Sequence, residues 1–467
     1  MLAVTGIGAF MGPLDVTVVA LALPAMGEAL DLSFAGAIWV QVGYLLAYAL
    51  VLVPAGRLAD QLGRLRVWRA GALVFAVASL MAGLSTDDVG LLAWRGLQGC
   101  GGAMLAATST AMVTQVFPPA KRGRALGLNV MALYLGLATG PIIGGVIVEH
   151  AGWRWIFLVN IPVAALALLF SARLVEARPA AGRPALDPLG STLLGAALGG
   201  LMVGATFAPL WGWDSPVAIG LMAAGAIAAV AFAVAEGRVR APLIDMAHFR
   251  DSRLYAFGNL AALLNYTAVF ATISLTAVLL QVVGHRSPVE SGVIMLAQPA
   301  LMAALSPIAG RLSDRIGSRS LTSGGMVLVA AGMGVLATTP SSVPVGHVAA
   351  GLAVVGIGMA AFSSPNTSAV MGSVGPDRLA VTAAVIAEMR TVGQALSVAL
   401  LGTIAAAPLG AEGARVILGG AEGAVHAGAF LDGYRLAMVV GGAIALVGAA
   451  ASLTRGPAVR LTSRAAA

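Results

Sequence analysis

Cysteine and lysine are nearly missing from this chain: Cys100 and Lys121 each stand alone in 467 residues. A single thiol forms no internal disulfide and no thiolate cluster. The five histidines, His150, His248, His285, His347 and His426, show no metal-ligand spacing, so no metal is expected. No phosphate-cradling glycine loop is present, so ATP is not expected to drive the protein. No nucleophile–base arrangement stands out, and neither an enzyme nor a cofactor is expected. Charge of either sign is scarce, at 10% of residues, where soluble domains carry about 25%. What is abundant is apolar: 59% of residues are hydrophobic. No water-soluble fold hides that much apolar surface behind so few charges. The same composition excludes disorder, a coiled coil and a disulfide scaffold. An outer-membrane barrel is excluded because the apolar runs are about 20 residues long, not alternations of about ten. The class that remains is an all-α polytopic membrane protein.

About 14 apolar runs follow one another, near 2–24, 35–57, 67–85, 91–116, 125–148, 153–173, 187–207, 216–236, 254–282, 290–311, 320–339, 346–371, 380–406 and 432–454. Each is long enough to cross roughly 30 Å of hydrocarbon at about 1.5 Å per residue. The first run lacks a basic start and carries Asp15 in its middle, so it reads as a retained span. The formal charge is +7. Its arginines sit in short loops, which points to orientation and not to nucleic acid. Of 27 basic residues, 21 fall on one side of the spans and four on the other. The basic side is expected to be cytoplasmic, with both termini there, in a bacterial cytoplasmic membrane.

An internal repeat organises the spans. GRLADQLGR at 56–64 recurs as GRLSDRIGSR at 310–319, after the second and the tenth spans. The offset is eight spans, so two six-span bundles, 1–175 and 254–455, are expected to flank two inserted spans at 187–236. Parallel repeats of this kind place a substrate site at their interface, near the midplane. Spans 7 and 8 are expected outside the pseudo-twofold and not as walls of that site.

Two ionisable residues lie deep in the first bundle. A carboxylate at Asp15, roughly 20 Å into its span at helical rise, is costly unless paired, hydrated or protonated. Arg95 enters span 4 from the opposite side at an overlapping depth. The two are expected to pair, with Asp15 exchanging Arg95 for a proton or a cationic substrate; a permanent ion pair that only fixes packing is the alternative. Glu388 is the other deep carboxylate, and a second proton or substrate site is expected there. Arg390, two residues on, points about 200° away and is not expected to pair with it. Tyr44, Asn129, Tyr134, Asn259, Asn265, Tyr266, Gln298, Asn366 and Gln394 interrupt apolar spans, and some are expected to line the cavity.

These patterns together resemble the major facilitator superfamily, and within it the 14-span drug:proton antiporters. RGLQGCG at 95–101 resembles the fourth-span motif, and GLATGPIIGG at 136–145 the antiporter motif of the fifth span. LDVTVVALALP at 14–24 and WRWIFLVNIP at 153–162 are similar to first- and sixth-span motifs of the 14-span branch. The resemblance implies that Gly56, Asp60, Gly63 and Arg64, and their counterparts Gly310, Asp314 and Gly317, form a conformational latch. It implies a tight, bent helix at Gly136, Gly140, Pro141, Gly144 and Gly145 that favours exchange over proton leak. The expected function is proton-coupled export of an amphiphilic, cationic drug or toxic compound. A dedicated exporter of one metabolite, antibiotic or lipid is the alternative, and a non-transporting scaffold or receptor the second. The expected partners are protons, the cargo and membrane lipid. No nucleic acid is expected, and the resemblance implies a monomer.

Overall fold

The computed structural model describes residues 1–117, 119–175, 187–211, 214–239, 246–375, 379–410, 412–413, 417–418 and 425–456. The described residues form helices and no strands. Thirteen helices are long and apolar enough to cross a membrane. The fourteenth long helix, Asp88–Val116, is less apolar because Arg95, Gln98 and several hydroxyls interrupt it. We number the membrane helices in chain order. The first bundle holds α1 (Leu2–Leu30), α2 (Phe34–Leu62), α3 (Arg64–Gly83), α4 (Asp88–Val116), α5 (Pro119–Ala151) and α6 (Trp155–Ala172). The inserted pair is α7 (Pro188–Trp211) and α8 (Pro216–Glu236). The second bundle holds α9 (Arg253–Val283), α10 (Pro288–Met295, continuing as Ala297–Ile316), α11 (Ser318–Ala337), α12 (Val345–Met371), α13 (Leu379–Ala406) and α14 (Ala427–Thr454).

Local chemistry marks the helix starts. The side chains of Ser33, Asp87 and Ser252 accept from backbone N–H groups in the first turns of α2, α4 and α9. Ser287 and Glu290 form a reciprocal capping box at the start of α10. The repeat is visible in the backbone as well. Gly63 ends α2 at φ 109°, and Gly317 ends the second part of α10 at φ 88°. A side chain is strained at both places, so each copy needs its glycine.

The packing obeys the same offset of eight. In the first bundle α1 packs on α5, α2 on α4, α3 on α4 and α3 on α6; in the second, α9 packs on α13, α10 on α12, α11 on α12 and α11 on α14. The bundles meet along α2–α13 and α5–α10, which exchange under the pseudo-twofold, and along α1–α9. The inserted helices pack on each other, and α7 rests on α2 and α13, along one of the two seams. Ile227 and Val230 of α8 are exposed, as a lipid-facing surface requires. This is the major facilitator fold with two added spans.

Candidate transport site

Between the bundles lies a cavity of about 1050 Å³. It reaches from Tyr44, Tyr134 and Tyr266 down to Gly56, Arg57, Asp60 and Arg64, so it opens at the arginine-rich end. The opposite end is shut. There Ser274 donates to Gln41 across the bundles at 2.7 Å, and Gln281 donates to the Leu21 carbonyl at 3.0 Å. Phe34 meets Phe430 edge-on at 5.7 Å. No residue of α7 or α8 is among the described lining residues.

The antiporter motif explains part of this closure. A Cβ on Gly136 would stand 2.5 Å from the Phe10 carbonyl oxygen, one on Gly140 would collide with the Thr17 hydroxyl, and one on Gly144 would stand 3.1 Å from the Val18 Cα. That glycine stripe therefore seats α5 on α1, inside one bundle. Gly145 faces the other way: its Cβ would lie 2.5 Å from the Pro288 carbonyl oxygen. A Cβ on Gly292 would come closer still to the Pro141 carbonyl oxygen. The sequence reading missed Gly292, which has no counterpart in the motif.

Asp15 and Arg95 pair as their depths required. Both are fully buried, and Arg95 Nη1 donates to Asp15 Oδ2 at 2.6 Å. Asp15 Oδ1 accepts from Gln98 Nε2 at 2.8 Å and from Asn160 Nδ2 at 3.0 Å. Gln98 also donates to Ser79 and accepts from Arg95. Arg95 Nε donates to the Val40 carbonyl at 3.0 Å, and its guanidinium lies 4.5 Å from the Tyr44 ring centre. Tyr44 lines the cavity, whereas Asp15 and Arg95 do not. The tyrosine ring is thus the wall between the charge pair and the cavity. Gln98 and Asn160 were visible in the sequence as motif positions, but not as ligands of Asp15.

Of the polar interrupters, Tyr44, Asn129, Tyr134, Tyr266, Gln298, Asn366 and Gln394 line the cavity. Tyr134 and Tyr266, from opposite bundles, both reach the Ser363 hydroxyl, at 3.1 and 3.4 Å. Asn259 and Asn265 are corrected: neither lines the cavity. Asn259 turns back to its own helix and donates to the Tyr255 carbonyl, and Asn265 is buried within the second bundle. Glu388 is fully buried with neither oxygen hydrogen-bonded, and it is not among the described lining residues, although Ala384, Val385 and Thr391 on the same helix face are. One turn earlier, Val385 clusters with Val53 of α2 and Leu194 of α7. Arg390 does reach the cavity. Arg455, at the C-terminal end of α14, is buried and donates to Asn366 Oδ1 at 3.1 Å.

At the cavity mouth, Arg64 donates to Asp60 Oδ1 through Nε and Nη2 and to the Ala111 carbonyl at 2.8 Å. The loop motif therefore ties α2 and α3 to α4 within one bundle. Gly56 lines the mouth and Gly310 faces Ser364. The side chain of Asp314 lies outside the described residues. No group of His, Cys, Asp and Glu able to hold a metal occurs among the described residues.

Residues 5–398 match the Major Facilitator Superfamily. The chain belongs to that superfamily. It is a membrane transporter of the facilitator type, and enzymatic chemistry is no part of that class. The chain is similar to the tetracenomycin C resistance and export protein of Streptomyces glaucescens, 32% identical over 96% of this chain and 89% of that one. It is similar to the multidrug resistance protein Stp of Mycobacterium tuberculosis, 32% identical over 87% and 76%. Among solved structures, a bacterial homologue of the lysosomal transporter Spinster, inward-facing and unoccupied, superposes with a TM-score of 0.71 at 17% identity, covering 97% of this chain and 96% of that one. That likeness speaks to the facilitator fold alone.

Proposed function

We propose that the protein exports an amphiphilic compound through the cytoplasmic membrane in exchange for protons, with both termini and the cavity mouth on the cytoplasmic side. The observation that carries this is the sealed Asp15–Arg95 network standing behind Tyr44, at the edge of a cavity open to the arginine-rich face. Both oxygens of Asp15 accept from donors, Oδ2 from Arg95 and Oδ1 from Gln98 and Asn160. A proton on Oδ2 removes the charge that holds Arg95, and a proton on Oδ1 must displace Gln98 or Asn160. Proton binding therefore loosens α4 or α6 from α1, and α1 and α4 both line the pathway. A change of protonation becomes a change of helix packing, which is the coupling an exchanger needs. Glu388 is a second proton site in this proposal, reached through the α2–α13 seam.

The lining offers little to the cationic cargo expected from sequence. Its described acidic residue is Asp60, at the mouth, and that carboxylate is taken by Arg64. The relative named for tetracenomycin C favours a second reading, a dedicated exporter of one compound, whereas Stp is named for multidrug resistance. A transport panel separates the two. In inside-out vesicles with an acid interior, uptake of an aromatic amphiphile is expected and should collapse on adding a protonophore. Uptake indifferent to the gradient would exclude proton exchange.

The loop motif has a switching role in this scheme. The Asp60–Arg64 pair is partly exposed and worth about 0–1 kcal/mol as a surface interaction. Asp60→Asn is therefore expected to leave cargo affinity within twofold while turnover falls severalfold. Equilibrium binding set against initial transport rates checks this, and a tenfold loss of affinity with intact turnover would contradict it.

A further inference from the structure

We propose that Arg390 is an anion-binding residue of the cargo cavity, and that the cargo is a flat aromatic amphiphile carrying an acidic group. This rests on the export reading above. Arg390 lies 11 residues into α13 from its cavity-mouth end, roughly 16 Å deep at helical rise. It is the one charged side chain among the described lining residues that stands far from the mouth. No carboxylate forms an ion pair with it among the described residues, and Glu388, two residues earlier on the same helix, is offset from it by about 200°. A guanidinium held near the midplane is costly, and such residues mark substrate pathways when they face a cavity. Its fork of N–H donors matches a carboxylate or phenolate in two-point contact.

The surroundings define the remainder of the cargo. Tyr48 stands beside Arg390, and Tyr134 lies within its electrostatic reach. With Tyr266 and Ser363 they give a cluster of aromatic faces and hydroxyls from both bundles, closed by Met359 on the apolar side. Flat rings stack on such faces, and the hydroxyls accept or donate to ring substituents. A cation placed against these rings would sit beside the guanidinium, and like-charge repulsion opposes it. The mouth adds Arg57 and Arg64 against Asp60, so the path from the arginine-rich face also favours an anion.

The test uses the full-length protein in lipid nanodiscs and three fluorescent probes of one ring size: 9-anthracenecarboxylate, 9-anthracenecarboxamide and 9-(aminomethyl)anthracene. The wild type is expected to bind the carboxylate about 10- to 100-fold tighter than the amide, the range of a charge-assisted bond, and the ammonium most weakly. Arg390→Gln should erase the carboxylate advantage and keep amide affinity within twofold, which also reports an intact cavity. Arg390→Lys, which keeps the charge without the fork, should retain part of the advantage. The wild-type ranking needs no variant to fold. An ammonium bound as tightly as the carboxylate, no binding of any probe, or an unchanged preference in Arg390→Gln would each overturn the proposal. Intact ranking without gradient-driven transport would instead overturn the export reading and leave the anion site standing.

Discussion

Asp15→Asn is expected to abolish export against a concentration gradient while leaving downhill efflux measurable. The substitution conserves shape and changes one thing: an acceptor becomes a donor. If the new amide nitrogen takes the Oδ1 position, it meets Gln98 Nε2 and Asn160 Nδ2, both of which donate there. If it takes the Oδ2 position, it meets Arg95 Nη1, and the guanidinium loses its counter-ion. Either way a buried network of donors is left unsatisfied, and removing one partner of a buried pair costs about 3–5 kcal/mol. Part of that cost is expected as a lower yield of folded protein. The remaining molecules lack the group that alternates between Arg95 and a proton, so they should carry cargo only downhill. Arg95→Gln should be as harmful to yield, because it leaves the carboxylate without its cation. The double variant should recover much of the folded yield, since both changes remove the same interaction, and still fail to couple. Gradient-driven uptake in the four proteins decides it. Full uphill transport by Asp15→Asn would move proton coupling elsewhere, with Glu388 the next group to test. Coupling unchanged in every molecule that folds would make the pair a packing device.

How much of this was legible beforehand depends on which physical cost each residue carries. Asp15 and Arg95 could be paired from depth alone, because two opposite charges in apolar spans have few other ways to be stable. The same logic failed for Asn259 and Asn265. A buried amide is satisfied by a cavity, by a neighbouring helix or by its own backbone, and Asn259 chose the carbonyl four residues back. Periodicity put Glu388 and Arg390 on different faces of α13 but left open which face met the cavity. That is decided by how α13 is rotated against α2, α7 and α9, a matter of packing that no local pattern encodes. The repeat and the loop motif were readable because their glycines serve the backbone: Gly63 and Gly317 both hold a positive φ at corresponding helix ends. The cationic cargo rested on the deep Asp15 carboxylate as well as on the resemblance, but Asp15 stands behind Tyr44 and outside the described lining, which runs against a cation.

The closed end of the pathway depends on a contact that the motif only half contains. Gly145 and Gly292 let α5 and α10 touch through their backbones, and both contacts cross between bundles. Gly292→Ala drives a Cβ into the Pro141 carbonyl oxygen and places it 2.9 Å from the carbonyl carbon. A carbonyl in a helix cannot rotate aside as a side chain does, so α5 and α10 must part. Overpacking of this kind costs about 1–3 kcal/mol, and here the cost falls on the conformation closed at this end. The state closed at the arginine-rich end, in which these helices separate, does not bear it. The equilibrium should therefore move about 5- to 150-fold toward that state, since each 1.4 kcal/mol is tenfold. Spin labels at Gln115 and Met371, on opposite sides of the mouth in a Cys100→Ser background, read this directly: their separation should shorten in Gly292→Ala. Gly145→Ala should act in the same direction. Gly136→Ala is the control, because its clash with the Phe10 carbonyl lies inside one bundle; it should lower folded yield and leave the label distance unchanged. Equal distances in Gly292→Ala and the wild type would show that the outer seam does not set the balance between the two states.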